Sequence, residues 1–198
     1  MKRSRWAVGV LGAVALASVF CLTGCPWLGY GIKTCIDFNG LTAGTTYNVG
    51  DTITLNEVDI VVLPFQWSNL TTFTGGTLMV TNAQAAGGSG MDLNLNNVCL
   101  GFDFKGKIRK VTLKFGEYGG NTNVEAEGTL ENREDLDGLT ALGSLTVTVN
   151  NLGGDLRDFT IEGKMEPTAF SLDPGAGTFN FIIGGQELVI DDVCSAWF

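Results

Sequence analysis

Histidine is absent from the 198-residue chain. Without an imidazole, neither a Ser-His-Asp triad nor a Cys-His pair can form, and the usual zinc sites lose a common ligand. Any metal would have to be held by oxygen atoms, which favours calcium over zinc. No complete catalytic motif is present, and we therefore expect a protein that binds a ligand and is not an enzyme.

Basic residues are scarce, since 12 lysines and arginines stand against 21 aspartates and glutamates. Three of the basic residues, Lys2, Arg3 and Arg5, precede an uncharged run from Trp6 to Leu22. This pattern is typical of a secretory signal peptide. Removal of residues 1–24 would leave 174 residues with a net charge of −12. That length suits one domain, and the acidity argues against nucleic acid and anionic lipid as ligands.

The uncharged run ends in Leu22-Thr23-Gly24-Cys25, which resembles the lipobox of bacterial lipoproteins. The resemblance implies cleavage before Cys25 and acylation, for example with palmitate, of that cysteine. We therefore expect a helical signal peptide over residues 1–24, a short tether over residues 25–33 and one domain over residues 34–198. The alternative is an uncleaved anchor, but 17 residues lie at the lower edge of what a spanning helix needs.

The residues after Cys25 indicate which membrane would hold the protein and how close its domain would sit to the bilayer. Pro26 stands where enteric bacteria use an aspartate to retain lipoproteins in the inner membrane, so the outer membrane or cell surface is favoured. Trp27 and Tyr30 lie in the tether, and amphipathic aromatic side chains favour the headgroup zone. We expect the domain to sit close to the bilayer.

Five cysteines reduce to three structural candidates, because Cys21 would leave with the signal peptide and Cys25 would carry lipid. The remaining three, in an exported and oxidising setting, cannot all pair. We favour a Cys35–Cys194 disulfide, because the first and last strands of a sandwich are often antiparallel neighbours. Cys99 is then the free thiol, although sequence alone does not fix connectivity.

The mature chain is predicted to be all-β, because apolar residues alternate with polar ones between clusters rich in Gly, Asn and Asp. Gly119-Gly120 is one of several predicted turns. Glu131 to Leu142 is ambiguous, and a short helix is one option there. The alternating runs span residues 98–104, 111–115, 145–149, 159–162 and 179–183, and further strands are predicted at Thr34–Phe38, Thr52–Leu55, Asp59–Trp67, Thr77–Thr81, Asp92–Asn96, Val124–Leu130, Thr168–Leu172 and Glu187–Val193.

Both ends of the predicted domain resemble galactose-binding-like jelly-roll modules, the fold of many carbohydrate-binding modules. The opening segment Cys35-Ile36-Asp37-Phe38-Asn39-Gly40 and the closing strand Gly185 to Val193 carry the likeness. It implies an antiparallel two-sheet β-sandwich. In that family, acidic residues of the first and last strands often hold a structural calcium, which implies Asp37 and Asp191 or Asp192 as ligands here. The other interpretation is that these aspartates face solvent or cap strand ends.

Two stretches combine aromatic, amide and carboxylate groups, the mixture that binds neutral sugars. Phe65 to Asn69 contributes Gln66 and Trp67 at a strand end, although Trp67 could equally be core. The second stretch surrounds the Gly-Gly turn and contributes Glu117, Tyr118, Asn121 and Asn123. We therefore expect a glycan ligand at the cell envelope.

Two alternatives remain open. A structural or adhesive surface lipoprotein could use the same Thr/Asn-rich faces and strand edges to bind a protein partner. A glycoside hydrolase would need two carboxylates, for which Glu117, Glu125 and Glu127 are the nearest candidates. The sequence does not indicate an oligomeric state.

Overall fold

A computed structural model describes residue 31 and residues 33–197 of the chain. The predicted signal peptide, Cys25 and most of the tether lie outside the described residues. The part of the chain that the structure describes contains no helix of the length and hydropathy that a membrane span needs. It folds almost entirely as antiparallel β-strands.

Sixteen strands are present in residues 33–197. They are β1 (Lys33–Ile36), β2 (Thr46–Asn48), β3 (Thr52–Leu55), β4 (Val58–Gln66), β5 (Thr72–Phe73), β6 (Thr77–Thr81), β7 (Asp92–Asn96), β8 (Val98–Asp103), β9 (Ile108–Ala126), β10 (Thr129–Arg133), β11 (Ala141–Leu142), β12 (Leu145–Gly153), β13 (Leu156–Met165), β14 (Thr168–Ala169), β15 (Thr178–Phe179) and β16 (Phe181–Trp197). Fourteen of them form one antiparallel sheet, and β14 and β15 form a second.

The long strands β9 and β16 form the centre of the large sheet and pair with each other from Ile182 to Trp197 of β16. The other edge of β16 pairs in turn with β8, β7 and β1. The other edge of β9 pairs with β13 and then with β10. Branches of shorter strands therefore extend from both sides of one central strand pair.

The core lies against one face of this pair, which we call the inner face. Alternating apolar residues, including Phe115, Val124 and Phe181, are fully buried there. Phe181 packs against Phe102 of β8 and Phe159 of β13, with ring centroids 6.2 and 5.7 Å away. Because β8 and β13 belong to different branches, both branches bury their apolar side chains in one core.

The opposite face of the β9–β16 pair, the outer face, is covered in part by the β14–β15 sheet. Ile182 of β16 and Cys99 of β8 alternate with core residues and so point to this side. They form a smaller apolar cluster with Phe170 and Phe179. Cys99 is fully buried and unoxidised, and burial raises the pKa of its thiol to about 12. The prediction of a free Cys99 is thus confirmed.

The Cys35–Cys194 disulfide is also confirmed. Cys35 of β1 lies directly opposite Cys194 of β16, with the Cα atoms 4.0 Å apart. The bridge closes a loop of 159 residues and joins the first strand to the last.

The predicted turn at Gly119-Gly120 is wrong. Strand β9 continues through both glycines, and the pairing with β16 shifts register opposite Glu187. Both glycines have positive φ, 155° and 73°, and a Cβ on Gly120 would lie 2.6 Å from Gln186. Two glycines permit a bulge as readily as a turn, and long-range pairing with β16 selects the bulge.

In the same region, one further strand prediction is wrong and one ambiguous stretch is assigned. Val124–Leu130 is not one strand, because the chain turns at Glu127 and Gly128, both with positive φ, between β9 and β10. Glu131–Leu142 contains no helix, since it comprises the end of β10, turns and β11. Other predicted strands are confirmed to the residue, as for Thr52–Leu55, Thr77–Thr81 and Asp92–Asn96.

Candidate functional site

A groove of about 560 Å³ lies beside the outer face of β9, where the β4–β5 turn, the end of β10 and the chain after β14 meet. We call this groove the amide groove. Its uncharged polar lining comprises Gln66, Ser68, Asn121, Asn132 and Ser171. Gln66 is only 5% exposed, although its side chain is a neutral amide. The β9–β10 hairpin, the β4–β5 turn and the chain after β14 thus bring hydrogen-bonding side chains to one concave surface.

The amides of the groove are fixed by one another. Asn132 Nδ2 donates to the backbone carbonyl of Gln66 (2.7 Å) and to Oδ1 of Asn123. Asn121 Nδ2 donates in turn to Oδ1 of Asn132. Asn123 is fully buried beneath them, and its Nδ2 lies 3.6 Å from the sulfur of Cys99. A ligand would therefore meet polar groups that are already oriented, which lowers the ordering cost of binding.

The remaining walls of the groove are apolar or of balanced charge. Leu70, 70% exposed, and the partly buried Leu130 and Leu172 contribute aliphatic surface. Arg133 and Glu134 add one charge of each sign. The groove therefore combines apolar walls with neutral hydrogen-bonding groups and no net charge.

Trp67 is not in the groove lining. Its ring packs edge-on between Phe65 and Phe73, with centroids 5.5 and 5.6 Å away, at the margin of the smaller apolar cluster. The backbone of Trp67 starts the turn whose residues Ser68 and Leu70 do line the groove. The indole thus supports the wall from behind.

A buried carboxylate lies behind another wall of the groove. Glu125 is 2% exposed, and its Oε1 accepts hydrogen bonds from the backbone N–H (3.1 Å) and hydroxyl of Ser171. Its Oε2 is buried without a hydrogen-bond partner among the described residues. Burial is the main cause that raises the pKa of Glu125 above its usual range. The carboxylate holds the Ser171 segment in position.

Tyr118 lies in a neighbouring pocket of about 390 Å³ that is also lined by Asn94, Asn96 and Gln186. Its hydroxyl donates to the carbonyl of Ala85 (2.7 Å), and the residue remains 46% exposed. Gln186 Oε1 accepts from the backbone N–H of Asn121 at 2.6 Å. The Gln186 side chain therefore connects the Tyr118 pocket to the amide groove.

The carboxylate of Glu117 makes hydrogen bonds within the fold. Its Oε1 accepts from the hydroxyl of Thr122 (2.5 Å) and its Oε2 from the backbone N–H of Leu136 (3.3 Å). Burial, the largest influence, raises the pKa of this carboxyl. Neither Glu117 nor Glu125 is among the residues that line the amide groove.

The six predicted ligand residues therefore separate. Gln66 and Asn121 meet in the groove, Asn123 supports it, Tyr118 lies next to it, and Glu117 and Trp67 have structural contacts. Sequence reasoning missed Asn132 and Ser171, which belong to segments without a clear pattern. The fixed pairing of β10 with β9, which places Asn132 opposite Asn123, is what brings Asn132 to the site.

The predicted calcium ligands do not form a cluster. Asp192 pairs with Lys114 (2.8 Å), and Asp37 Oδ1 accepts from the N–H of Asn39. Asp191 is 1% exposed, and its carboxylate accepts from the N–H groups of Ser89 and Asp192. Within residue 31 and residues 33–197, no three acidic or cysteine side chains are arranged to hold a metal ion.

Comparison of the chain with models of protein families, with curated proteins and with solved structures finds no match.

Proposed function

We propose that this chain is a lipid-anchored protein of the bacterial envelope whose β-domain binds a neutral carbohydrate in the amide groove. The fold that we propose for the domain is a jelly-roll sandwich of the galactose-binding type. Its antiparallel pairing and its joined first and last strands are compatible with that arrangement.

The observation that carries the proposal is the convergence of Gln66, Asn121 and Asn132 in one groove. A planar amide offers a donor and an acceptor at once and suits ligands with paired hydroxyl groups. Both N–H groups of Asn132 are donated within the network, so Gln66 and Asn121 supply the amide contacts to the ligand and Asn132 holds them in place. The leucine walls can contact the apolar CH face of a sugar ring, a role that an aromatic side chain would otherwise fill. The balanced charge of Arg133 and Glu134 favours a neutral glycan over a phosphorylated or strongly acidic one.

Binding is favoured over hydrolysis. A glycoside hydrolase places two carboxyl groups about 5–10 Å apart on either side of the bond that it cleaves. Glu117 and Glu125 are instead bonded to the fold, and Glu127 accepts a hydrogen bond from the backbone N–H of Glu166. We expect no turnover of glycosides by the protein.

Screening an array of neutral and acidic oligosaccharides, followed by titration calorimetry, tests the ligand. Asn121→Ala should weaken the affinity for a neutral oligosaccharide about tenfold, because one or more hydrogen bonds of the site are lost. Asn150→Ala, an exposed asparagine on β12, is the matched control and should leave the affinity unchanged. Absence of any glycan binding, or full binding by Asn121→Ala, would contradict the proposal. Capture of an envelope protein instead would favour the adhesive alternative.

The anchor is tested separately with Cys25→Ala. Two or more acyl chains give stable attachment, whereas the chain without them has none of that affinity. The variant should move from the membrane fraction to the soluble fraction of the envelope. A variant that stays on the membrane after a carbonate wash shows that Cys25 is not the anchor.

A further inference from the structure

The chain enters the domain at a defined place. The backbone N–H of Gly31 donates to the carbonyl of Trp197 at 3.2 Å, so Gly31 lies beside the end of β16. One residue row further in, Lys33 of β1, Ala196 of β16, Lys110 of β9 and Glu162 of β13 lie side by side across the sheet. We call this part of the molecule the tether end. Gly31 is the sixth residue after Cys25, which gives a reach of at most about 20 Å.

Most of the basic residues lie at the tether end. Lys105 and Lys107 flank Gly106, against which the ring of Trp197 packs, and Lys107 and Lys164 both pair with Glu166. In total, six of the nine basic residues that follow Cys25 lie here. They are Lys33, Lys105, Lys107, Arg109, Lys110 and Lys164.

Acidic residues at the tether end balance these six charges. Glu127 accepts a hydrogen bond from the N–H of Glu166 and interacts electrostatically with Lys164, and Glu57 follows Asn56, whose side chain bonds to the carbonyl of Cys35 in β1. The full set is Glu57, Asp59, Asp103, Glu127, Glu162 and Glu166. The tether end therefore has no net charge, while three basic and 15 acidic residues give the rest of the mature domain its −12.

The acidity of the whole domain argues against anionic lipid as a partner, but the charge is unevenly distributed over the molecule. An anionic membrane surface repels the acidic body of the domain, and the repulsion acts on each charge that comes close to the surface. Only the tether end can approach without that cost. The side chains of Lys107 and Lys164 are 60% exposed and both pair with Glu166, so two ammonium groups stand at the surface of the tether end. Trp197, half-buried at the same end, is of the residue type that favours the headgroup zone.

We propose that the tether end docks on the anionic phospholipid headgroups of the membrane that holds Cys25, with Lys107, Lys164 and Trp197 at the contact. This inference rests on the anchor of the proposed function and not on its ligand. It also fixes the orientation of the domain, since the hairpin between β12 and β13 then lies away from the bilayer.

Amine labelling tests the orientation. The lipidated mature protein on vesicles of phosphatidylcholine and phosphatidylglycerol is treated with an acetylating reagent, and each lysine is quantified by mass spectrometry. The reference is the same mature chain with Cys25→Ala, mixed with the same vesicles. Lys107 and Lys164 should react several-fold more slowly in the anchored protein. A lysine introduced by Leu152→Lys at the exposed β12–β13 hairpin, the matched control, should react equally in both.

The outcomes separate the two proposals. Lipidated protein with unchanged reactivity at Lys107 and Lys164 overturns the docking alone. A mature protein whose Cys25 carries no lipid overturns the anchor and the docking together. Protection that persists undiminished on phosphatidylcholine alone overturns the role of anionic headgroups, whereas its loss in that lipid or at high salt supports it.

Discussion

The two faces of the β9–β16 strand pair differ in chemistry although they share one backbone. The inner face carries Phe115, Val124 and Phe181 in a continuous apolar core. The outer face carries Asn121, Asn123 and other polar groups, several of them just as deeply buried. Burial of polar groups is tolerated only where hydrogen bonds replace those to water. The comparison teaches that the inner face stabilises the fold by apolar packing alone, whereas the outer face combines a smaller apolar cluster with a network of hydrogen-bonded amides.

A substitution on the inner face should cause the largest loss of stability. Phe181→Ala removes a ring that contacts both branches of the sheet, and it should lower the free energy of unfolding by about 3–5 kcal/mol. Denaturant titration measures the change. Leu152→Ala, an exposed apolar residue, should stay within about 0.5 kcal/mol of the wild type. Equal losses in the two variants would remove the distinction between core and surface.

A substitution on the outer face should cause a smaller loss of stability together with a loss of glycan affinity. Asn123→Ala removes the acceptor of Asn132 Nδ2 from beneath the amide groove, and it should lower the free energy of unfolding by about 1–3 kcal/mol. It should also weaken glycan affinity, because Asn132 loses its orientation. Asn150→Ala serves again as the exposed control. A stable Asn123→Ala protein with full affinity would show that the buried amides do not organise the groove.

The smallest expected effect is a change in how the free energy of unfolding depends on pH, and it comes from Asp191. Burial, the main cause, raises the pKa of Asp191 to about 6 in the folded protein, while backbone N–H donors limit the shift. The unfolded chain has a pKa of about 3.9 for aspartate. Between these values the folded state binds more protons, so Asp191 makes stability fall as pH rises from about 4 to about 6.

Thermal unfolding across that pH range compares the wild type with Asp191→Asn. The variant lacks this decline because its amide does not titrate, so the relevant measure is the slope and not the absolute stability. Parallel curves for the two proteins would mean that Asp191 does not titrate in this range.

Period-two patterns were enough to predict the inner face, because each strand on it must bury alternate residues. The Cys35–Cys194 pairing could be predicted for a different reason, because the first and last strands of a sandwich are often antiparallel neighbours. Gly119-Gly120 could not be assigned locally, because the same dipeptide suits a turn and a bulge. Two of the residues that line the amide groove, Gln66 and Asn121, could be predicted from the sequence. Asn132 and Ser171 could not be predicted. The place of Asn132 is set by the register of the β9–β10 hairpin, and that of Ser171 by contact with the distant Glu125.

The disulfide between β1 and β16 has a mechanical consequence. A force applied through an anchored N-terminus would pull first on β1, a four-residue strand whose hydrogen bonds to β16 could open one pair at a time. Opening stops at Cys35, two residues into the strand, because the bridge to Cys194 is covalent. The load then passes directly to β16, the strand with the most pairing partners in the described sheet. The domain therefore cannot be unzipped from the β1 end while the disulfide is intact.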